Sequence, residues 1–417
     1  MLKRESYLAQ IRPFMGTDLI KVLTGIRRCG KSVMLELISN ELREAGIPPN
    51  RFFYLNFEEV SGQRWLDGEA LLAHVLQLAG EPSGGVSGTV QEVDPGKRFV
   101  LLLDEVQLLP RWEYYLNSLR VHKNMDIYVT GSNSKLLSGE LATLLTGRFV
   151  SFEIQPFSFR EFCELGRSRG EAKSEAVFFN DYVRFGGMPF VSQLNLAYPD
   201  AMKYLADIYG TILFKDIAQR HNIRDLVLLE RVVKYTLSNI GKTFSALSIA
   251  KYLKSERINV SSETILNYLR ACEEAFLMYR VRRNDLSGKR LLATNEKYYV
   301  CDHGLREAVF FDNTGNMEIV LENIVYTELR RRGHDVTVGK IGGREIDFVA
   351  KKADAVIYIQ VALYIAGADT REREFGALEK IPDNHPKYVI SLNDFNYQSN
   401  GIKHINIRDF LLNGIPG

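Results

Sequence analysis

Residues 25–32 read Gly25-Ile26-Arg27-Arg28-Cys29-Gly30-Lys31-Ser32, a complete G-x-x-x-x-G-K-[ST] phosphate-binding loop. Gly25 and Gly30 permit backbone angles that turn successive N–H groups onto phosphate oxygens, and a helix starting behind the loop adds partial positive charge. Lys31 is then placed to reach the β- and γ-phosphates, and the Ser32 hydroxyl to ligate Mg²⁺. The expected nucleotide contacts run from Gly25 through Ile26, Arg27, Arg28, Cys29, Gly30, Lys31 and Ser32 to Val33. This chemistry implies a nucleoside triphosphate, with ATP and Mg²⁺ as the ligands.

A second group of polar residues closes an apolar run, Phe99-Val100-Leu101-Leu102-Leu103-Asp104-Glu105. Such a run suits a parallel strand buried on both faces, and ligand chemistry in parallel sheets gathers at the carboxyl ends of the strands. Asp104 would hold Mg²⁺ through its water shell, and Glu105 would polarise the attacking water. By itself the pair also fits a solvated acidic turn. Its position 73 residues after Lys31 favours the catalytic reading. A further strand, Asp126 to Thr130, ends in Gly131-Ser132-Asn133. Either Ser132 or Asn133 could orient water or sense the γ-phosphate, or the pair could form an Asx or Ser turn capping the next helix. Arg148, before the strand Phe149 to Ile154, could complete a neighbouring subunit's site in trans or simply pair with a helix dipole.

These residues require an α/β scaffold to bring them together. Leu19 to Thr24 is a β-rich run, Val33 to Leu42 has helical spacing, and Arg51 to Phe57 supplies an intervening strand. A helix over 134–145 is expected to lead into Thr146-Gly147-Arg148.

Taken with Leu103-Asp104-Glu105-Val106-Gln107, Thr130-Gly131-Ser132-Asn133, Pro156-Phe157-Ser158-Phe159-Arg160-Glu161-Phe162 and Phe185-Gly186-Gly187-Met188-Pro189, the chain resembles one family. It is similar to prokaryotic AAA-type ATPases that carry a winged helix and a C-terminal restriction-endonuclease-like domain of unassigned function. The resemblance spans essentially the whole chain. It implies nucleotide roles for Lys31, Ser32, Asp104 and Glu105, the sensor role for Ser132 or Asn133, and the finger role for Arg148. It also implies a homo-oligomer, with a hexameric ring as one form.

The remaining segments fit an α/β chain with four parts: an ATPase core over 1–155, a helical lid over 156–215, a winged helix over 216–300 and an endonuclease-like α/β domain over 301–417. In the third part, helical patterns at Leu226 to Ile240, Ser245 to Leu253 and Thr264 to Ala275 precede two strands flanking Gly288-Lys289-Arg290. Between Lys215 and Val300, 16 Lys and Arg face 9 Asp and Glu, a local +7 within a chain of +2. Lys251, Lys254, Arg257, Arg270, Arg282, Arg283, Lys289 and Arg290 could approach DNA phosphates, which dominate affinity. A basic face can also be merely solvated, and winged helices also join proteins.

In the fourth part, Glu322, Asp347 and Gln360 occupy positions that resemble a restriction-endonuclease site. That site needs a second carboxylate and a lysine two residues later, where this chain has Gln360 and Ala362. The expectation is a preserved fold without cutting; whether Asp347 with Glu322 or Glu345 still holds a metal, weakly, stays open.

Composition agrees with a globular chain: 46% hydrophobic and 25% charged over 417 residues. No apolar run approaches the ~18 residues of a membrane span, and the N-terminus lacks a signal-peptide core, so a cytoplasmic protein without membrane contact is expected. Cys29, Cys163, Cys272 and Cys301 lie too far apart to suggest a disulfide framework or zinc site. The reading that results is an Mg²⁺-dependent ATPase that remodels or translocates duplex or branched DNA in repair or recombination. The alternative is an ATP-controlled switch acting on a protein partner in defence or stress signalling.

Overall fold

The computed structural model describes residues 2–80, 98–122, 124–134, 145, 147–194, 197–286, 290–365, 367–395 and 397–415. The expected helix over 134–145 lies almost wholly outside the described residues. Two compact units are present, Met1–Gln155 and Pro156–Gly417.

The first unit is built on five strands: β1 (Ile20–Thr24), β2 (Phe52–Asn56), β3 (Phe99–Asp104), β4 (Met125–Gly131) and β5 (Phe149–Glu153). All pairs are parallel, in the order β2-β3-β4-β1-β5. Every residue of β1, β3 and β4 is buried, whereas the edge strands β2 and β5 are only partly covered. Val22, Leu101, Leu103 and Ile127 pack with Leu71 and Val75 of helix Gly68–Ala79 and with Trp112, Leu116 and Leu119 of helix Trp112–Arg120. Beneath this core, Lys21 and Asp126 form a fully buried ion pair at 2.6 Å. Gly16 N–H and the Tyr128 hydroxyl donate to the second Asp126 oxygen. A buried pair of this kind adds little over apolar packing, but removal of one partner costs about 3–5 kcal/mol.

The second unit starts with helices Phe159–Ser168, Glu175–Phe185 and Tyr198–Thr211, the last continued by a π-helical stretch, Ile212–Gln219. Ser158 and Glu161 cap the first of these reciprocally. Gly186, with φ +72°, lies where a Cβ would meet Asp302 Oδ1 at 2.1 Å, and Gly187 N–H donates to Asp302 Oδ2 at 2.7 Å. The 156–215 helices are thereby tied to residues beyond 300 within one unit. Next come helices Leu226–Ser238, Ala246–Ser255 and Ser262–Glu274, the last two N-capped by Ser245 and Ser261.

The strands of this unit are β6 (Thr243–Phe244), β7 (Met278–Asp285), β8 (Arg290–Val300), β9 (Asp335–Ile341), β10 (Arg344–Lys352), β11 (Ala355–Val361), β12 (Lys387–Ser391), β13 (Gln398–Ser399) and β14 (Ile402–Asn406). They form one mixed sheet ordered β13-β14-β12-β11-β10-β9-β7-β8-β6. A boundary at residue 300 would cut this sheet, because Arg283, Asn284 and Asp285 of β7 pair in parallel with Val338, Gly339 and Lys340 of β9. Helix Met317–Arg331 covers it with Leu321, Ile324, Val325 and Leu329 against Phe348, Ile359 and Ile390.

Candidate functional site

The phosphate-binding loop follows the carboxyl end of β1. Gly25 has φ +141°, and a Cβ there would meet the Ile154 carbonyl oxygen at 2.1 Å, so close approach to β5's exit demands glycine. Arg28 and Gly30 also take left-handed angles, +68° and +101°. Cys29 is buried inside the turn, and its thiol donates to Ile154 O at 3.0 Å. Burial pushes that thiol's pKa up, against the pull of Lys31. Arg27 pairs with Glu58 at 2.9 Å, while Arg28, Ser32 and Val33 are exposed at the loop and the first helical turn. Ile26 is buried.

Lys31 opens helix Lys31–Glu44 and folds back over the loop. Its ammonium donates to Gly25 O at 3.1 Å and Ile26 O at 3.2 Å, and lies 3.7 Å from Glu105 Oε1. Asp104 ends β3, fully buried, and accepts from the Thr130 hydroxyl and from Tyr54 OH at 3.3 Å. Thr130 Oγ1 also accepts from Glu105 N–H at 3.0 Å. Glu105 has a left-handed φ of +55°, which turns it out of the strand direction, and Gln107 donates to its carboxylate. Burial alone raises the Glu105 carboxyl, but the Lys31 ammonium, the Gln107 amide and the Arg27 guanidinium outweigh it. The group is held below the ordinary carboxylate value. Thr130 and Gln107 lie in the sequence motifs without an assigned role, and Tyr54 was not singled out; a Thr or Tyr in a strand carries no mark of the residue it faces.

Ser132 and Asn133, both buried, follow β4, which lies between β3 and β1. Arg148 is not brought to this edge. It precedes β5, whose Phe149 is in register with Ile20 at the start of β1, and its guanidinium donates to Asn117 at 3.1 Å. Arg148 is exposed. The five residues of β1, about 16 Å of strand, separate it from the loop of its own chain.

Comparison with known proteins places this geometry. A family model described as an AAA domain matches residues 17–163, and one for a domain of unknown function matches residues 178–316. An uncharacterized protein of Haemophilus influenzae is 38% identical over 415 residues, covering 99% of both chains. The chain belongs to one family with this uncharacterized protein, and its residues 17–163 carry an AAA-type P-loop domain. A second relative, an uncharacterized protein of Methanocaldococcus jannaschii, is 27% identical, covering 94% of this chain and 85% of its own. Among solved structures, the Walker-type ATPase paby2304 of Pyrococcus abyssi is 16% identical with a TM-score of 0.47, over 74% of this chain and 95% of that one.

The second unit carries two further groups of interest. On helices Ala246–Ser255 and Ser262–Glu274, Lys251, Lys254, Asn267 and Arg270 are exposed, as is Arg257 beyond the first helix. Of the hairpin's cations, Arg282 is exposed, but Arg283 is partly buried and faces Glu345 at 3.6 Å, so it is not free for a phosphate. Lys289 and the Arg290 side chain lie outside the described residues. The other group surrounds Asp347. The expectation that this site lacks a lysine is corrected, because Lys297 reaches it from β8. Gln360 spends its amide oxygen on Asp347 N–H at 3.0 Å. No helix among the described residues is long and apolar enough to cross a membrane.

Proposed function

We propose that this AAA-type protein hydrolyses ATP at the β3-β4-β1 edge and uses the cycle to bind and remodel duplex or branched DNA. The observation that carries the hydrolytic reading is the convergence of Lys31, Glu105 and Asp104 from two strand ends onto a loop only glycine permits. Two hard oxygen donors suit Mg²⁺ here: the buried Asp104 carboxylate and the exposed Ser32 hydroxyl. Bound there, the ion would withdraw charge from the phosphate oxygens. Lys31 exchanges its carbonyl partners for the β- and γ-phosphates. Glu105, already ionised, accepts a proton from water as the water oxygen attacks the γ-phosphorus and the bond to the β-phosphate oxygen breaks. Ser132 or Asn133 orients that water. Arg148 of one subunit serves a neighbour in a homo-oligomer, since its own loop is at the far edge.

The DNA reading rests on the local +7 and on the exposed Lys251, Lys254, Arg257 and Arg270, with helices 246–255 and 262–274 acting as a winged-helix reader. A protein partner is the second reading. Leu247, Tyr252 and Leu266 are 55%, 44% and 43% exposed among those same cations, an apolar element that phosphate binding does not need. ATP turnover measured alone and with linear, forked and four-way DNA tests the choice. Stimulation by DNA supports the first reading, and turnover indifferent to every DNA form favours the second.

A further inference from the structure

Lys297 is 2% exposed, and its ammonium meets three carboxylates from two other elements. Nζ lies 2.8 Å from Glu322 Oε1 on helix Met317–Arg331, 2.7 Å from Glu345 Oε1 and 3.8 Å from Asp347 Oδ1, both on β10. An ammonium has three N–H donors and no acceptor; Glu322 and Glu345 lie within hydrogen-bond distance of it, and Asp347 at 3.8 Å is an electrostatic neighbour. The second oxygen of two of these carboxylates is engaged as well. Glu345 Oε2 faces Arg283 at 3.6 Å, and Asp347 Oδ2 accepts from Val361 N–H at 2.8 Å. Tyr299 OH adds a bond of 2.5 Å to Glu322 Oε1. Lys297 and Arg283 together set two positive charges against Glu322 and Glu345, while burial and the nearby Glu322 push the Asp347 carboxyl well above the usual carboxylate range. Without Lys297, the partly buried Glu322 and Asp347 would lose the counter-ion they share, and Glu345 would keep only Arg283.

We propose that Lys297 does the electrostatic work of a divalent cation at this site, so that the carboxylate cluster is closed by the chain's own lysine and holds without metal. The lysine arrives from β8 because β7 pairs with β9, carrying the β7–β8 hairpin to the carboxylate-bearing strand. It is not the residue two positions after Gln360, where Ala362 stands. A cluster bonded in this way joins the hairpin, helix 317–331 and β10 into one body. It leaves no carboxylate with both oxygens free to bind an ion that must hold water for hydrolysis.

Mn²⁺ uptake followed by electron paramagnetic resonance tests this, using full-length protein without nucleotide and with Asp104→Asn to remove the ATPase metal ligand. Protein with Lys297 should leave Mn²⁺ free. Lys297→Met should bind about one Mn²⁺, at least roughly tenfold more tightly, and the gain should vanish when Asp347→Asn is added. Uptake by the Lys297 protein that is lost on Asp347→Asn would overturn the proposal, as would a folded Lys297→Met that binds none. If Lys297→Met folds only with Mn²⁺, the metal is replacing the lysine and the proposal stands. If it folds in neither condition, Lys297→Gln combined with Glu345→Gln removes one charge of each sign and is read by the same two outcomes. Incubation of the wild type with duplex DNA in Mn²⁺ should give no cleavage. Cleavage abolished by Asp347→Ala would likewise refute a closed site.

Discussion

Lys31 Nζ stands 3.7 Å from Glu105 Oε1, so the cation proposed to bind phosphate and the carboxylate proposed to act as base neutralise one another in the free site. The pair also explains why Glu105 stays ionised despite its burial. Lys31→Ala should therefore weaken ATP binding and leave Glu105 without its main counter-charge. Glu105→Gln should keep binding intact, because Lys31 is released from one partner, while turnover falls by about 10²-fold or more. Equilibrium binding of a fluorescent nucleotide and steady-state phosphate release separate the two effects. Normal turnover in Glu105→Gln would remove Glu105 from the role of base.

Arg148 poses the opposite geometry. Its backbone carbonyl accepts from Ile20 N–H at 3.0 Å, at the amino end of β1, while the phosphate loop leaves the carboxyl end. Arg148→Ala should bind ATP normally and hydrolyse it slowly. Mixing it with Lys31→Ala should restore part of the activity, because some interfaces then pair an intact loop with an intact arginine. No recovery in verified mixed oligomers would exclude action in trans.

The AAA-type core was legible because its physics is local. A run apolar on both faces marks β3; β1 and β4 are β-rich runs whose Lys21 and Asp126 pair inside, and the expected strand over Leu19–Thr24 differs from β1 by one residue. Helix starts at Ser158, Ser245 and Ser261 follow from side chains that accept from the N3 N–H. The second unit was harder because its decisive contact is long-range. Nothing near Lys297 distinguishes it from any lysine on a hairpin strand. Its role exists only once β7 pairs with β9 across some fifty residues of chain, as Arg283 does with Val338. The same pairing takes Arg283 out of the exposed cationic set.

Glu273, at the end of helix Ser262–Glu274, should make stability depend on pH. Burial raises its pKa to about 7; Arg280 opposes that, Glu296 adds to it, Arg270 opposes and Glu274 adds. The folded state therefore holds a proton that the unfolded chain releases at about 4.5. Stability from this group is complete below the unfolded value and declines as pH rises through about 7. Glu273→Gln should be about 1–2 kcal/mol more stable than wild type at pH 8 and no more stable at pH 4.5. Urea unfolding at the two pH values measures this. A Gln variant less stable at both would mean that the Arg280 contact, 3.4 Å away, outweighs the burial.

The helical face of the second unit decides how DNA is bound, if the cationic surface is the contact. Lys251, Lys254 and Arg270 lie on two consecutive helices, with Arg257 at their junction, and all four are exposed. Each phosphate contact released from this set should reduce the slope of log affinity against log salt by about 0.9 for duplex DNA. Reversing all four to Glu should weaken binding uniformly across sequences and flatten that slope by up to about 3–4. By contrast, Arg283→Ala should leave the slope unchanged, because its charge is already committed to Glu345. Fluorescence anisotropy over a salt series gives both numbers. A folded fourfold variant with the wild-type slope would move the contact off this face, and a flattened slope in Arg283→Ala would show that the Glu345 pair opens to bind DNA.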